Sequence, residues 1–595
     1  MKLVEIRIKN FRAIGSGTNE QGLHLQIDKN NIIFLIGRNN AGKSSTLNAY
    51  DYFFNDKPAK ADDFHGVKNF PIEIEIKLRS ESSDELRQLK IFDDYPDLKN
   101  DEQLRVRKEW SYDQPEKSKK FIWIESKWKE LNEKQDKKTF KELQELLERE
   151  LPTPIWIKGM STTNEISNVI KNLIKKTVLK SLEESEEYKE AENSLRKLQN
   201  LVSQNTFSKE LKELISGTLQ KTFPTVSLDI SNETVGKNDL MKSIEGFTQI
   251  RAIEDDQKSV SLDWQGHGLQ RQIIFSVYKD CHQWLGSKKS DNSLAKPGDK
   301  TNIVLIEEPE LFLHPTAIRS TRNLLYELAE SSEFQILCAT HSPIMIDIKR
   351  PHNSLVRIVK DRQYGSLAYQ VSELLTTIGM MEDFNPHVCE SFFADKVILV
   401  EGNTEAIIIK LLIERFGRDC NSQIADGLHI VNCNGKATIP GFQNVLNHFK
   451  IDYFVFHDCD SEFLTNGRKS PAWVTNRNIW NKIEDARSKG IKARRFVSLH
   501  DFESSNGYTV PSSESKPNEA YNQVRKWLDT WSDKGVQDKP IVRYIKEIAM
   551  NENIEEDHTQ DWLEKKVLAT SSSSLNSLPL FLYSNNDSDN FERKL

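Results

Sequence analysis

The sequence predicts an α/β protein, and three observations favour this fold class. A short apolar run, Ile33–Ile36, precedes a glycine-rich loop and a helix-forming segment, which indicates a buried strand, a turn and a helix. A later apolar run, Ile303–Ile306, ends in two glutamates. Beyond residue 390, further apolar runs end in acidic residues with helical segments between them, which is typical of a parallel sheet.

Length and composition fit a globular protein of several domains. The chain has 595 residues, which is enough for roughly three or four domains. Its net charge of −7 gives no overall attraction to nucleic acid, so any such binding has to come from local basic patches. No apolar run approaches the ~18 residues of a membrane span, and no apolar signal region opens the chain. We therefore expect a cytoplasmic protein without a membrane partner.

The glycine-rich loop has the spacing Gly37-x-x-x-x-Gly42-Lys43-Ser44, which fits a P-loop between a strand and a helix. Inward-facing backbone N–H groups and the helix N-terminus attract phosphate oxygens, so the loop predicts a nucleoside triphosphate site. We expect Lys43 to bind the β- and γ-phosphates and the Ser44 hydroxyl to coordinate Mg²⁺. The predicted nucleotide-binding residues of the loop are Gly37, Asn39, Asn40, Gly42, Lys43, Ser44 and Ser45.

Strand-like and helical patterns alternate around this loop. Lys2–Phe11, Leu23–Ile27 and Ile72–Leu78 alternate apolar and polar residues, which predicts antiparallel strands with one exposed face. Trp128–Leu151 has the pattern of a charged helix, and residues 165–221 carry apolar side chains at three- and four-residue steps, so residues 126–221 predict a helical insertion. A packing arm or dimer contact explains this insertion more simply than DNA binding does, because a basic run on a helix is usually a solvated face.

Three further motifs complete a predicted nucleotide site that extends from residue 37 to residue 341. The segment SLDWQGHGLQRQ, with Gly268 and Gln270, opens a helix. In NIVLIEEPELFLHP a buried strand ends in Glu307 and Glu308, the Walker B pattern, in which the first carboxylate binds Mg²⁺ and the second orients the attacking water. The segment FQILCATHSP places His341 after the next strand, where we expect it to contact the γ-phosphate.

The second unit repeats a pattern of strands that end in polar residues. In KVILVEGNTEAIII a buried strand ends at Glu401, and Glu405 follows one helical turn later. The next strand leads into Asn434–Lys436, and a third strand ends in Asp458–Asp460. Because the carboxyl ends of parallel strands meet at one edge of a sheet, these carboxylates are expected to gather there. Carboxylates without His or Cys form an oxygen site suited to Mg²⁺ or Mn²⁺.

These motifs resemble two known families. The segment KNFRAIG, the P-loop, the GxGxQ segment and the Walker B strand resemble the RecF/SMC-like branch of the ABC-type ATPases. In that branch Gly268 and Gln270 would reach the nucleotide bound by a second copy. The EG and DxD pattern resembles the TOPRIM domain. Their succession on one chain resembles the OLD (overcoming lysogenisation defect) family of nucleases, which includes the Gabija nuclease subunit and retron-associated effectors.

The resemblance implies an order of domains. The fold class is α/β, with a RecF/SMC-like ABC ATPase head that carries a helical insertion, followed by a TOPRIM domain and a helical C-terminal region. The implied boundaries are 1–375 for the ATPase domain, with the insertion at 126–221, 390–511 for the TOPRIM nuclease domain, 512–570 for the helical C-terminal region and 571–595 for a flexible tail.

The resemblance also implies a two-metal nuclease site. Glu401, Asp458 and Asp460 would hold one ion, and Glu405, Asp501 and Glu503 would hold the other. Lys565, or Lys566 as the alternate, would stabilise charge on the phosphorus. Basic residues that could contact the DNA backbone are Lys489, Lys492, Arg494, Arg495, Arg468 and Lys469.

The function that the resemblance implies is an ATP-regulated, metal-dependent DNA endonuclease of antiphage defence, with ATP and Mg²⁺ or Mn²⁺ as cofactors. Engagement of two ATPase heads implies a homodimer or higher homo-oligomer. The implied defence partner is a reverse transcriptase with its DNA–RNA product, or a helicase-like protein. Two alternatives stay open: a non-cleaving DNA-repair or sensor ATPase, and a topoisomerase-like strand-passage enzyme, for which no domain with a nucleophilic tyrosine is recognisable.

Overall fold

The computed structural model divides the chain into an N-terminal unit, Met1–Gly379, and a C-terminal unit, Met380–Leu595. The structure describes residues 1–17, 22–27, 31–66, 70–79, 103–124, 126–131, 151–159, 206–221, 227–232, 248–253, 259–261, 301–330, 334–347, 353–371, 388–420, 427–463, 468–499, 501–510, 515–550 and 557–575, with single positions at 350, between 141 and 147, at 223–224 and between 265 and 276. Among these residues no helix combines the length and apolar character needed to cross a membrane.

The N-terminal unit is built from strands and a few helices. Its strands are β1 (Lys2–Lys9), β2 (Leu23–Gln26), β3 (Ile32–Ile36), β4 (Ile72–Arg79), β5 (Gln103–Ser111), β6 (Gln114–Ile124), β7 (Lys127–Leu131), β8 (Thr153–Ile157), β9 (Ser227–Asn232), β10 (Thr248–Ile253), β11 (Ser259–Ser261), β12 (Asn302–Glu307), β13 (Phe334–Ala339), β14 (Asn353–Asp361) and β15 (Gly365–Val371). Its α-helices are α1 (Lys43–Asn55), α2 (Thr206–Gln220) and α3 (Pro315–Glu330), and 3₁₀ turns occur at Ala61–Asp63 and Pro343–Met345.

Two large sheets of this unit share one core. The first has the antiparallel order β2-β1-β4-β5-β6-β7, and the second has the order β15-β14-β3-β13-β12-β8. In the second sheet β3 lies between β13 and β14 and pairs parallel with both, and its five residues are all buried. Alternating isoleucines of β4 and the buried side of α1 join the same apolar cluster, which fixes the P-loop against both sheets. A smaller sheet has the order β11-β10-β9.

Two segments of the predicted helical insertion are strands instead. β7 pairs antiparallel with β6, and the rings of Trp123 and Trp128 lie opposite each other with centroids 5.2 Å apart. β8 contains Pro154, which suits a strand at a sheet edge better than a helix interior, and it pairs parallel with β12. The helical prediction for 126–221 is therefore wrong at β7 and β8. Helix α2 agrees with it, and residues 160–205 lie outside the described residues.

The C-terminal unit alternates strands with helices. Its strands are β16 (Lys396–Val400), β17 (Leu428–Asn432), β18 (Asp452–Asp458) and β19 (Ala493–Ser498). Its α-helices are α4 (Asn403–Cys420), α5 (Ile439–His448), α6 (Pro471–Ser488), α7 (Phe502–Ser505), α8 (Lys516–Asp529), α9 (Lys534–Gln537), α10 (Pro540–Met550) and α11 (Gln560–Leu575), and 3₁₀ turns occur at Val388–Phe393 and Lys436–Thr438. Helix α11 continues to Leu575, inside the predicted tail, and residues 576–595 lie outside the described residues.

The four strands of this unit form a parallel sheet in the order β17-β16-β18-β19. β16 and β18 are neighbours at the centre, so the residues that follow them, Glu401 and Asp458, lie side by side at the carboxyl edge. Helices α4, α8 and α10 cover one face through an apolar cluster that includes Ile408, Val524 and Ile545. The helical region predicted after residue 511 thus packs on the sheet.

A buried arginine fastens helix α11 to this sheet. Arg495 on β19 has no exposed surface. Its guanidinium donates to the His558 carbonyl at 2.7 Å, to the Asn476 carbonyl at 2.6 Å and to Gln560 Oε1 at 3.1 Å. The Val497 N–H donates to His558 Nδ1 at 2.9 Å, and the His558 ring stacks on Trp562. Arg495 and His558 therefore fix the start of α11.

We expect Arg495→Met to weaken this attachment. The substitution leaves two buried carbonyls and the half-buried Gln560 Oε1 without their donor, and the local opening free energy should fall by about 3 kcal/mol or more. Hydrogen exchange at the Val497 amide measures this opening. The control is the exposed Arg525→Met in α8, which should leave that amide within about 0.5 kcal/mol of wild type. Equal exchange in both variants would contradict the anchoring role.

Candidate functional site

The P-loop owes its shape to three residues with positive φ. Gly37 has φ +141°, and an added Cβ would lie 2.2 Å from the Ile358 carbonyl oxygen. Asn40 has φ +61°, and Gly42 has φ +112° just before α1 begins at Lys43. Left-handed backbone is favourable for glycine and tolerated by asparagine, so this sequence closes the turn tightly. The amides at the start of α1 are thereby aimed at the phosphate position.

Lys43 is turned back onto its own loop. Its Nζ donates to the Gly37 carbonyl at 2.9 Å and to the Arg38 carbonyl at 2.9 Å. Burial lowers the pKa of Lys43 to about 8, against the opposing attraction of Glu308 and Glu310. The side chains of Asn39, Asn40 and Ser44 are exposed at the loop, whereas Ser45 is buried. The predicted loop residues thus lie together, and their nucleotide contacts stay a prediction.

The Walker B motif and the loop that carries His341 meet at the ends of two adjacent strands. β12 pairs parallel with β13, and the Glu308 N–H donates to the Ala339 carbonyl at 2.7 Å. Glu308 has φ +44°, which strains a non-glycine residue and turns its side chain toward the switch loop. His341 Nε2 lies 3.9 Å from Glu308 Oε1. Burial and the nearby Lys43 charge lower the pKa of His341, and the attraction of Glu308 opposes this shift.

Glu310 is a residue of this candidate site that the sequence did not single out. Its Oε1 accepts from the His341 N–H at 2.6 Å, and its Oε2 accepts from Thr340 Oγ1 at 2.9 Å. Burial raises the pKa of Glu310, although these hydrogen bonds oppose the rise. One carboxylate therefore holds the Walker B turn and the loop that carries His341 in register. The signal was present as the fourth residue of EEPE, two positions beyond Glu308.

The predicted signature segment lies beside the turn that follows the Walker B strand. At Gly268 an added Cβ would approach Leu313 Cδ2 to 2.7 Å and the Phe312 carbonyl to 3.1 Å, so glycine permits this close packing. Gln270 is buried, and its Nε2 donates to the Gln265 carbonyl at 2.9 Å. Its side chain thus faces the interior of this unit in the present conformation. Nucleotide contact by Gly268 and Gln270 of a second copy stays a prediction.

The centre of the C-terminal unit is a pair of carboxylates on neighbouring strands. Glu401 Oε1 accepts from the Asp458 N–H at 2.9 Å. Burial raises the pKa of Glu401 to about 7. Burial also raises the pKa of Asp458 to about 8, with repulsion from Glu401 and Glu405 adding to the effect. The sheet therefore gathers half-buried carboxylates that repel one another, and the nearby Lys436 charge offsets only part of the cost of ionising Glu401.

The carboxylates of Glu401 and Asp458 suit a divalent cation because they supply negative charge and an available ligand atom. Asp458 Oδ1 is buried and has no hydrogen-bond partner, which is uncommon for a buried carboxylate oxygen. Oxygen donors of this kind are those that Mg²⁺ and Mn²⁺ prefer. Among the described residues, no three His, Cys, Asp or Glu side chains already stand in a metal-holding arrangement. The carboxylates would therefore have to draw together around an ion.

The second predicted set of ligands is partly engaged elsewhere. Glu405 is buried, and its Oε2 accepts from the Gly402 N–H at 3.1 Å. Asp501 caps α7 by accepting from the Ser504 N–H at 2.7 Å. Glu503 is buried and forms an ion pair with Lys516 at 2.9 Å. Repulsion from Glu503 raises the pKa of Glu405 in addition to burial, so these two carboxylates lie near each other.

Two lysines at the carboxylates were not predicted as site residues. Lys436 Nζ lies 2.7 Å from Asp460 Oδ2, and Lys516 pairs with Glu503. The Asn434–Lys436 segment stood out in the sequence as a turn after the second strand, but its spacing did not reveal which strand end the lysine reaches. Lys516 follows no motif. The predicted Lys565 and its alternate Lys566 are exposed on α11, and their catalytic role stays a prediction.

The predicted DNA-contact residues divide into exposed and buried side chains. Arg495 is fully buried, so its prediction as a DNA contact is wrong. Lys489 forms an ion pair with Asp485, and Arg494 lies 3.6 Å from Asp557. Four of these side chains are exposed, namely Lys489, Lys492, Arg468 and Lys469. Lys469 lies 3.9 Å from Glu462.

Comparison with protein families assigns both units. A family described as an AAA ATPase domain matches residues 1–346, and a TOPRIM domain of proteins like the overcoming lysogenization defect protein matches residues 392–460. The chain belongs to the AAA ATPase family and carries an OLD-type TOPRIM domain. The second match ends at Asp460, so it contains Glu401, Glu405, Lys436 and the DxD segment.

Curated relatives match part of this chain. The Old nuclease of Escherichia phage P2 is 30% identical over 272 residues, which is 43% of this chain and 43% of that protein. The OLD nuclease of Thermus scotoductus is 30% identical over 239 residues, 39% of this chain and 42% of that protein. The chain thus spans less than half the length of these two relatives. Endonuclease GajA of Bacillus cereus is 24% identical over 439 residues, 70% of this chain and 68% of that protein.

Among solved structures, an SMC head bound to the C-winged helix domain of ScpA aligns with 63% of this chain and 98% of that chain. The sequence identity is 14% and the TM-score is 0.40, which is too distant to support an inference.

The lowered pKa of Lys43 predicts proton uptake when the AAA ATPase domain binds ATP. With a folded pKa of about 8, against 10.5 in a model peptide, Lys43 is mostly neutral at about pH 9 in the nucleotide-free protein. Triphosphate charge stabilises the ammonium, so ATP binding at that pH should take up about one proton. At pH 7 Lys43 is already charged, and the uptake should vanish. Calorimetry in buffers of different ionisation enthalpy measures the difference.

The matched variants for this measurement are Lys43→Arg and Lys60→Met. Arginine stays charged at both pH values, so Lys43→Arg should show no uptake. The exposed Lys60→Met should behave as wild type. Equal uptake by Lys43→Arg and wild type at pH 9 would assign the proton to another group.

The position of Glu310 predicts a looser switch loop in Glu310→Gln. The amide has one acceptor oxygen and no charge, so the His341 N–H keeps at best a neutral acceptor in place of the carboxylate. A hydrogen bond to a charged acceptor contributes about 1.5–3 kcal/mol, so the His341 amide should exchange roughly 10- to 100-fold faster. The control is Glu330→Gln at the exposed end of α3. Unchanged exchange at His341 would show that the loop does not depend on Glu310.

Proposed function

We propose that this protein is an ATP-regulated, divalent-metal-dependent DNA endonuclease of the OLD type. One observation carries the proposal: Glu401 and Asp458 end adjacent parallel strands, and the buried Asp458 Oδ1 lacks a hydrogen-bond partner. The site therefore has negative charge and an open ligand atom where a TOPRIM domain ends its DxD strand. The nuclease names of the relatives support the same activity.

Three carboxylates, Glu401, Asp458 and Asp460, would hold one ion, and Glu405, Asp501 and Glu503 would hold a second. Bound ions supply an activated water and charge stabilisation for phosphodiester hydrolysis. The protein gathers the carboxylates at one sheet edge, where burial raises the pKa of Glu401 and Asp458, so a bound cation would stabilise their charged forms. Lys565, with Lys566 as the alternate, would offset charge on the phosphorus from α11.

ATP would regulate the nuclease through the N-terminal unit. The P-loop, with Lys43 and Ser44, would bind ATP and its Mg²⁺, to which Glu307 would also contribute, and Glu308 and His341 would act at the γ-phosphate. Binding of two heads, with Gly268 and Gln270 of each copy over the nucleotide of the other, would make the active form a homodimer or higher homo-oligomer. Glu310 supports this proposal because it links the Walker B turn to the His341 loop.

The biological role proposed is antiphage defence in the cytoplasm, as the resemblance to Gabija and retron-associated OLD proteins implies. A restraining or activating partner would then be a reverse transcriptase with its DNA–RNA product, or a helicase-like protein.

The deciding experiment is cleavage of supercoiled plasmid by the full chain in Mg²⁺ and in Mn²⁺, with and without ATP. Asp458→Asn and Glu401→Gln should each lower the cleavage rate by at least about 100-fold, because each removes a ligand charge. Lys43→Ala should abolish the effect of ATP and keep the metal-dependent cutting.

The matched control is Glu414→Gln, which neutralises an exposed carboxylate of α4 on the same unit. It should cut as wild type does. Cutting that survives in both Asp458→Asn and Glu401→Gln would refute the nuclease site. Plasmid binding and ATP hydrolysis without cutting in any metal would favour the sensor ATPase instead.

A further inference from the structure

Lys436 reaches across the carboxyl edge of the TOPRIM sheet. It follows β17, and the sheet order places β16 between β17 and β18. Its Nζ nevertheless donates to the Asp458 carbonyl at 2.5 Å and to Asp460 Oδ2 at 2.7 Å, both at the end of β18. The lysine side chain therefore passes beyond the end of β16, where Glu401 lies.

The turn that carries Lys436 is fixed by its backbone. Asn434 has φ +52°, and Gly435 has φ +122°, a conformation that only glycine adopts readily. The Gly435 N–H donates to the Glu401 carbonyl at 2.8 Å, and Thr438 Oγ1 donates to the Gly435 carbonyl at 2.7 Å. The same turn thus holds Glu401 through its backbone and the DxD segment through Lys436.

Burial makes this contact more than a surface ion pair. The Lys436 side chain is 6% exposed, whereas that of Asp460 is 41% exposed. Asp460 has φ +56°, so its backbone is bent in a way that keeps the carboxylate over the ammonium. Lys436 also acts electrostatically on Glu401. A positive charge therefore lies against the Asp460 carboxylate and the Asp458 carbonyl and acts on Glu401, within the set of residues that the proposed function assigns to one metal ion.

We propose that Lys436 is the internal counter-cation of the DxD carboxylates, and that a divalent metal ion binds by displacing it from Asp460. This inference rests on the proposed function, because it concerns the same carboxylates. Asp460 Oδ2 is occupied by an ammonium at hydrogen-bond distance, and two cations repel strongly at such separations in a buried site. Lys436 thus keeps the carboxylates together without metal and competes with the metal for one of them.

The test measures Mn²⁺ binding to the nucleotide-free full chain. The readout is the electron paramagnetic resonance signal of free Mn²⁺. The Mn²⁺ binding that is lost in Asp458→Asn is assigned to the TOPRIM site. A neighbouring cation changes the affinity of a carboxylate for a proton by about tenfold or more. Lys436→Met should therefore bind Mn²⁺ at that site roughly tenfold tighter than wild type. Lys436→Arg, which keeps the charge, and Lys410→Met, which removes an exposed lysine of α4, should stay near wild type.

Thermal unfolding supplies a second measurement. Without metal, Lys436→Met should unfold at a lower temperature than wild type, because the carboxylates lose their cation, and saturating Mn²⁺ should remove the difference. Lys436→Gln gives the same comparison if the methionine variant fails to fold. If Lys436→Met and Lys436→Gln leave the Asp458-dependent binding of Mn²⁺ unchanged or weaker, this inference is overturned. The proposed metal site would still stand. Mn²⁺ binding that Asp458→Asn and Glu401→Gln leave intact would overturn the proposed metal site as well.

Discussion

Parallel pairing of β-strands is the constraint on which both candidate sites depend. β3, β13 and β12 run parallel, so the P-loop, the loop that carries His341 and the Walker B glutamates leave the sheet at one edge. β16 and β18 do the same for Glu401 and Asp458. Residues far apart in the chain meet because strand direction, and not sequence distance, decides which ends are neighbours. Antiparallel pairing would send alternate strand ends to opposite edges.

Acidic and polar groups that gather at one edge of a sheet repel one another, and in each unit a lysine lies near them. In the N-terminal unit Lys43 donates to carbonyls of its own P-loop and lies near Glu308 and Glu310. In the C-terminal unit Lys436 donates to the Asp458 carbonyl and to Asp460. Both lysines are buried and follow a glycine of positive φ. A lysine held in this way keeps a binding edge intact without its ligand.

Local patterns were sufficient to predict much of the fold. The P-loop spacing, the alternating β1 and β4, and the strands that end at Glu307, Glu401 and Asp458 all depend on residues close together in sequence. The helical prediction was wrong for β7 and β8, since their strand state depends on partners in β6 and β12. Propensity and periodicity describe a segment by itself, whereas strand pairing is decided by what lies beside it.

The sequence by itself determined which chemistry each unit holds: a phosphate loop with acidic and histidine partners, and a set of carboxylates without soft ligands. Only the tertiary structure decided which charges meet. It buried Arg495 as the anchor of α11, and it brought Glu310 into hydrogen-bond contact with the loop that carries His341. It also brought the Lys436 side chain past the end of β16 to Asp460. The physical reason is that a side chain's type is written in the chain, whereas its solvent exposure and its charged neighbours arise from packing between distant segments.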